Sequence, residues 1–168
     1  MVAYSAVAQA GFILIGVCAA NGAGISSTLF YLVAYGFATV GAFAVITLVR
    51  AVGGEEDTEL TRWVGLGRRS PLIGGLFTIF LLALAGIPLT SGFIAKLAVF
   101  KAAGEGGALP LVVVGVLASA VAAFVYLRVI IVMYSPALDA DGPQILTPGS
   151  VTCAVIVVGA AGTVLLGI

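Results

Sequence analysis

Lys96 stands inside Gly92-Phe93-Ile94-Ala95-Lys96-Leu97-Ala98-Val99-Phe100, with apolar neighbours on both sides. At the centre of a bilayer a lysine costs about 2.5–3.5 kcal/mol on insertion scales, so it is expected to face a bundle interior or a water path. Burial in a low dielectric makes an ammonium readier to release its proton, which makes Lys96 a candidate proton carrier. The alternative is that its stem lies along apolar surface while its head reaches the interface. That is also the expectation for Lys101 at the end of the same run.

One turn before Lys96 lies Gly86-Ile87-Pro88-Leu89-Thr90-Ser91-Gly92. Pro88 removes a backbone donor and clashes with the preceding turn, and Gly86 and Gly92 flank it with permissive backbone. Non-helical backbone at membrane depth persists only where protein or a water-filled cavity satisfies its polar groups. Broken helices of this kind recur at transport sites. An ordinary proline kink is the competing reading.

Tyr31, Tyr35 and Thr39 recur at i, i+4 and i+8, which stacks them on one helical face. Their hydroxyls could line a water chain, or each could make one interhelical hydrogen bond. Ser5 and Gln9 form a similar polar pair, open to the same two readings. Arg128, in Tyr126-Leu127-Arg128-Val129-Ile130, reads as a snorkelling anchor or as a charge that tunes a neighbour's field. Arginine scarcely deprotonates, so it is no proton shuttle. Cys18 and Cys153 sit singly in apolar runs, and the chain has no histidine, so no metal site is expected and both cysteines read as apolar fillers. No phosphate- or dinucleotide-binding glycine motif is present.

The elements that must position these residues are helices in a membrane. Of 168 residues 62% are hydrophobic and 8% charged, against about 25% charged in soluble domains. Lys+Arg and Asp+Glu number 7 each, which leaves no net field to attract nucleic acid. About 20 apolar residues cross a bilayer core of roughly 30 Å. That rule predicts an all-α, polytopic transmembrane bundle of about five spans, at residues 2–20, 26–50, 71–103, 110–134 and 147–168. As one straight helix the third would run roughly 50 Å, so it must be broken. An apolar start at Val2 without a basic leader is expected of a chain whose N-terminal part is missing.

The polar loop from Gly53 to Ser70 carries Glu55, Glu56, Asp57, Glu59, Arg62, Arg68 and Arg69, with Trp63 as an expected interfacial anchor. Counting alternate sides, the N-terminus, this loop and the 135–146 loop share a face with Arg50. By the positive-inside rule that face is cytoplasmic and Ile168 lies outside.

Taken together, the motifs resemble a family. Leu84-Ala85-Gly86-Ile87-Pro88-Leu89-Thr90-Ser91-Gly92-Phe93-Ile94-Ala95-Lys96 is similar to the broken twelfth helix of the antiporter-like subunits of respiratory complex I. Ala3-Tyr4-Ser5-Ala6-Val7-Ala8-Gln9-Ala10-Gly11 resembles the start of their tenth helix, and Tyr126-Leu127-Arg128-Val129-Ile130 their thirteenth. The likeness covers essentially the whole chain and is to the subunit N branch, because Tyr31, Tyr35 and Thr39 stand where other members, including the Mrp-type cation/proton antiporters, carry histidines and a lysine. Gln9 stands where many subunit N sequences have histidine.

The resemblance implies a membrane-arm piece of NADH-quinone oxidoreductase in a bacterial inner membrane, coupling electron transfer from NADH to quinone to proton movement. Lys96 then matches the family's channel lysine. NADH, FMN, iron–sulfur clusters and quinone are expected on partner subunits, with no redox centre or cofactor in this chain. Members have about fourteen helices, of which this chain matches the last five. Two other readings stand beside it, a Mrp-type antiporter subunit and a non-transporting structural fragment.

Overall fold

The computed structural model describes residues 2–50, 63–136 and 144–168. Expectations for the acidic cluster at Glu55, Glu56, Asp57 and Glu59, and for Arg62, lie outside the described residues. Seven helices and two very short strands are present among those described: α1 (Val2–Cys18), α2 (Gly22–Ile46), β1 (Val49–Arg50), α3 (Leu66–Arg69), α4 (Pro71–Ala85), α5 (Ser91–Glu105), α6 (Leu109–Tyr134), β2 (Gln144–Ile145) and α7 (Ser150–Leu165).

Local chemistry sets the boundaries. Asn21 caps α2, its Oδ1 accepting from the Gly24 amide at 2.6 Å, and its Nδ2 donates to the Ala102 carbonyl of α5 at 3.3 Å. Pro71 opens α4, where an amide would have lacked a partner in any case. The second apolar run was expected to stay helical to residue 50. Instead α2 ends at Ile46, and Val49 pairs with Ile145 in an antiparallel strand contact. A run of apolar residues does not separate a final helical turn from a strand. The clasp is extended by the Leu146 amide, which donates to the Leu48 carbonyl at 2.9 Å. It ties the end of α2 to the approach to α7.

The third apolar run divides into α4 and α5, 15 residues each. Gly86 closes α4 in the left-handed conformation at φ 79°, with its own amide donating to the Ala83 carbonyl and that of Ile87 to the Leu82 carbonyl, as in a Schellman cap. Leu89 also has positive φ, at 72°. Thr90 opens α5 with its Oγ1 donating to the Ile87 carbonyl at 2.7 Å. A Cβ on Gly92 would collide with the Ala83 carbonyl, so only glycine lets α5 fold back this close to α4.

Two apolar clusters make the core. One joins α2, α4, α6 and α7 around Phe77, Phe80, Leu81 and Met133, and includes Trp63, whose ring centroid is 5.2 Å from that of Phe77. Trp63 is thus a core residue rather than an interfacial anchor, because α3 folds it onto α4. The other joins α1, α2 and α5 around Phe12, Tyr31 and Val99. Outside these clusters Val113, Leu117, Val121, Phe124 and Ile131 of α6 face outward, as do Leu14 and Val17 of α1. Cys18 and Cys153, expected as fillers, also face outward. So much exposed hydrocarbon suits lipid or protein neighbours, not water. Among the described residues two helices, α2 and α6, are long and apolar enough to cross a membrane by length and composition, while α4, α7 and Ser5–Cys18 of α1 are shorter apolar helices.

Candidate functional site

In an unbroken helix the carbonyl of Leu84 would accept from the amide of residue 88, and that of Ala85 from residue 89. Residue 88 is proline and has no N–H, and Leu89 has left the helical region. Two buried carbonyls are therefore left for side chains. Lys96 Nζ donates to both, at 3.3 Å to Leu84 and 3.0 Å to Ala85. These oxygens form the negative end of the α4 dipole, which favours a cation. The break thus supplies the two acceptors on which the amine sits.

Lys96 is 4% exposed. Its third partner is the Ser119 hydroxyl on α6, at 3.1 Å, and the Phe12 ring of α1 lies beneath it with the centroid 4.7 Å from Nζ. A Cβ on Gly86 would come within 2.8 Å of the lysine Cδ. The amine is enclosed by four helices, and a snorkelling path to an interface is not the conformation adopted.

A second polar group adjoins the first. Gln9 is buried, and its Nε2 donates to the Leu84 carbonyl at 3.2 Å, the oxygen Lys96 also uses. The Tyr31 hydroxyl donates to Gln9 Oε1. Tyr126 is buried close to Ser5 and Gln9, and its hydroxyl has no hydrogen-bond partner among the described residues. Tyr35 is half-buried and lines, with Gln9, Tyr31 and Leu84, a cavity of about 10 Å3, room for about one water.

Of the residues singled out by sequence, Lys96, Gly86, Pro88, Gly92, Gln9, Tyr31 and Tyr35 are brought to one place. Thr39 lies two turns beyond Tyr31, with a buried hydroxyl that has no hydrogen-bond partner among the described residues. Arg128 is exposed on α6, about 13 Å along the helix from Ser119 by residue count. It lies outside the polar cluster. Ser119, Tyr126, Phe12 and the Leu84 and Ala85 carbonyls belong to the site and were not singled out from sequence. Ser119 and Tyr126 are polar residues in apolar helices, a weak signal, and backbone carbonyls leave none.

A family description, NADH:quinone oxidoreductase/Mrp antiporter, TM, matches residues 1–122. The chain belongs to that transmembrane family. It is 64% identical over 168 residues to NADH-quinone oxidoreductase subunit N of Rhodococcus opacus, covering 100% of this chain and 31% of the relative. It is 62% identical over 168 residues to subunit N 3 of Streptomyces griseus, covering 100% and 30%, and 55% identical over 171 residues to subunit N of Mycobacterium tuberculosis, covering 100% and 32%. The chain therefore spans about a third of the length of the curated relatives it matches. Among solved structures it superposes on a chain of respiratory complex I from Thermus thermophilus with bound aureothin. The TM-score is 0.81 and the identity 28%, over 98% of this chain and 36% of that one.

Proposed function

We propose that this chain is the C-terminal part of a proton-translocating subunit of NADH-quinone oxidoreductase, held by five spans in a bacterial inner membrane with α4 and α5 forming a broken third span. The observation that carries the reading is the buried Lys96 amine on two carbonyls freed by the helix break, next to the Gln9–Tyr31 pair. A buried amine with fixed acceptors can hold a proton and release it when a neighbouring charge changes. The Leu84 oxygen, shared by Gln9 and Lys96, couples the charge of the amine to the polar cluster on α1 and α2. Electron transfer from NADH to quinone, with its flavin and iron–sulfur clusters, belongs in this reading to partner subunits of the membrane and peripheral arms. All three relatives described above are named as subunits of that oxidoreductase, which favours it over a stand-alone antiporter.

The test is proton uptake per NADH oxidised by membrane vesicles carrying the complete assembled enzyme. Lys96→Ala should assemble and lower coupled pumping at least about a hundredfold, the lower end of what loss of a positioned acid–base group costs. Lys96→Arg should fail as well, because guanidinium keeps its proton. Lys101→Ala, at an exposed position, should pump like the parent. Normal pumping by assembled Lys96→Ala, or full function of Lys96→Arg, would overturn the assignment.

A further inference from the structure

Lys96 has three hydrogen-bond partners of two chemical kinds. The Leu84 and Ala85 carbonyls only accept, so they suit an N–H of the lysine and offer nothing to the lone pair of a neutral amine. A hydroxyl both accepts and donates. Among the described residues Ser119, at 3.1 Å, is therefore the one hydrogen-bond partner able both to accept from the ammonium and to donate to the lone pair of the neutral amine. The Gln9 side reaches Lys96 only through the Leu84 oxygen, which has no proton to pass on.

Ser119 also stands at an opening. It is half-buried and lines, with Lys96, Gly86, Phe93, Phe100 and Ala123, a cleft of about 230 Å3 between α5 and α6. A water seated in it against both Ser119 and Lys96 would have two polar partners, the minimum a bound water needs. The rest of the lining is apolar, so the lysine and the serine are its two polar side chains.

From this geometry we propose that Ser119 is a catalytic residue of proton transfer, the hydroxyl through which Lys96 exchanges its proton with water in the α5–α6 cleft. In the release direction an N–H bond of the ammonium breaks as a new O–H bond forms on Ser119 Oγ. The original Ser119 O–H bond breaks as that proton passes to a cleft water. The lysine ends neutral, the serine is unchanged, and the water carries the positive charge. The reverse sequence reloads the amine, with Ser119 first donating to its lone pair. This inference rests on the reading of Lys96 as a proton carrier.

The decisive pair is Ser119→Thr against Ser119→Val, alike in shape and different in the hydroxyl, measured in the complete assembled enzyme beside Lys96→Ala. Coupled proton uptake should fall at least about a hundredfold in Ser119→Val, as expected for a lost acid–base group, and return within about twofold of the parent in Ser119→Thr. The valine variant should also show a larger solvent deuterium isotope effect, which a packing defect would not produce. Equal behaviour of the threonine and valine variants would overturn the role of Ser119. If Lys96→Ala abolished pumping while Ser119→Val pumped like the parent, Ser119 would fall and the lysine would stand. Normal pumping by Lys96→Ala would remove both.

Discussion

Gln9 and Lys96 donate to one oxygen, the Leu84 carbonyl, from two different helices, at 3.2 Å and 3.3 Å. Gln9 is at the same time the acceptor for Tyr31. Removing either member of the Gln9–Tyr31 pair leaves the other with a buried polar atom short of a partner, which costs about 1–3 kcal/mol. Gln9→Leu and Tyr31→Phe should each lower the thermal-inactivation midpoint of the assembled complex. The double variant should cost clearly less than their sum, because it strands neither group. Additive losses would show that the two side chains are not energetically paired.

Pro88 is exposed and acts through what its backbone lacks. Pro88→Ala supplies an N–H at the position from which a continuing helix would bond the Leu84 oxygen. It also removes a residue that disfavours helix interior by about 3 kcal/mol. Coupled pumping should fall while the thermal stability of the complex holds or rises, a separation that a simple packing defect would not give. Unchanged pumping would mean that the freed carbonyl is dispensable.

The strand clasp fixes one aspect of topology. Val49 pairs with Ile145, and a Cβ on Gly67 would meet the Tyr134 ring at 2.6 Å. The ends of α2 and α6 and the approaches to α4 and α7 therefore lie together. In a background with Cys18 and Cys153 replaced, cysteines at Arg68 and Leu146 should both react with an impermeant maleimide from the cytoplasmic side. A cysteine at Glu105 should react from the other side. Labelling of positions 68 and 146 from opposite sides would contradict the clasp, and labelling of both from outside would reverse the orientation drawn from the arginines.

The break and the lysine were legible because each violates a rule that sequence alone can state. An apolar run too long for the bilayer contains Pro88, and a cation sits in hydrocarbon at Lys96. What Lys96 touches was not legible. Its acceptors on α4 are main-chain atoms of Leu84 and Ala85, whose side chains say nothing of the role, and Ser119 is a small residue between two alanines. Tyr31 and Tyr35 were found by helical spacing, yet the same spacing included Thr39, which lies away from the cluster. Periodicity orders residues along one face and does not tell how far along that face the neighbouring helices supply polar groups. Trp63 was misplaced because amphipathic rings suit both an interface and a core, and only the fold of α3 onto α4 decides between them.

Gly86 answers two demands with one missing methyl group. The left-handed turn at φ 79° excludes a side chain on backbone grounds, and the Lys96 stem fills the space a Cβ would need. In genetic terms the two constraints are not separable by a single suppressor. Shortening Lys96 would relieve the collision but leave the backbone strained and the amine gone, and no change at a neighbour would ease the turn without moving Leu84 and Ala85. Revertants of a substitution at position 86 should therefore restore glycine itself.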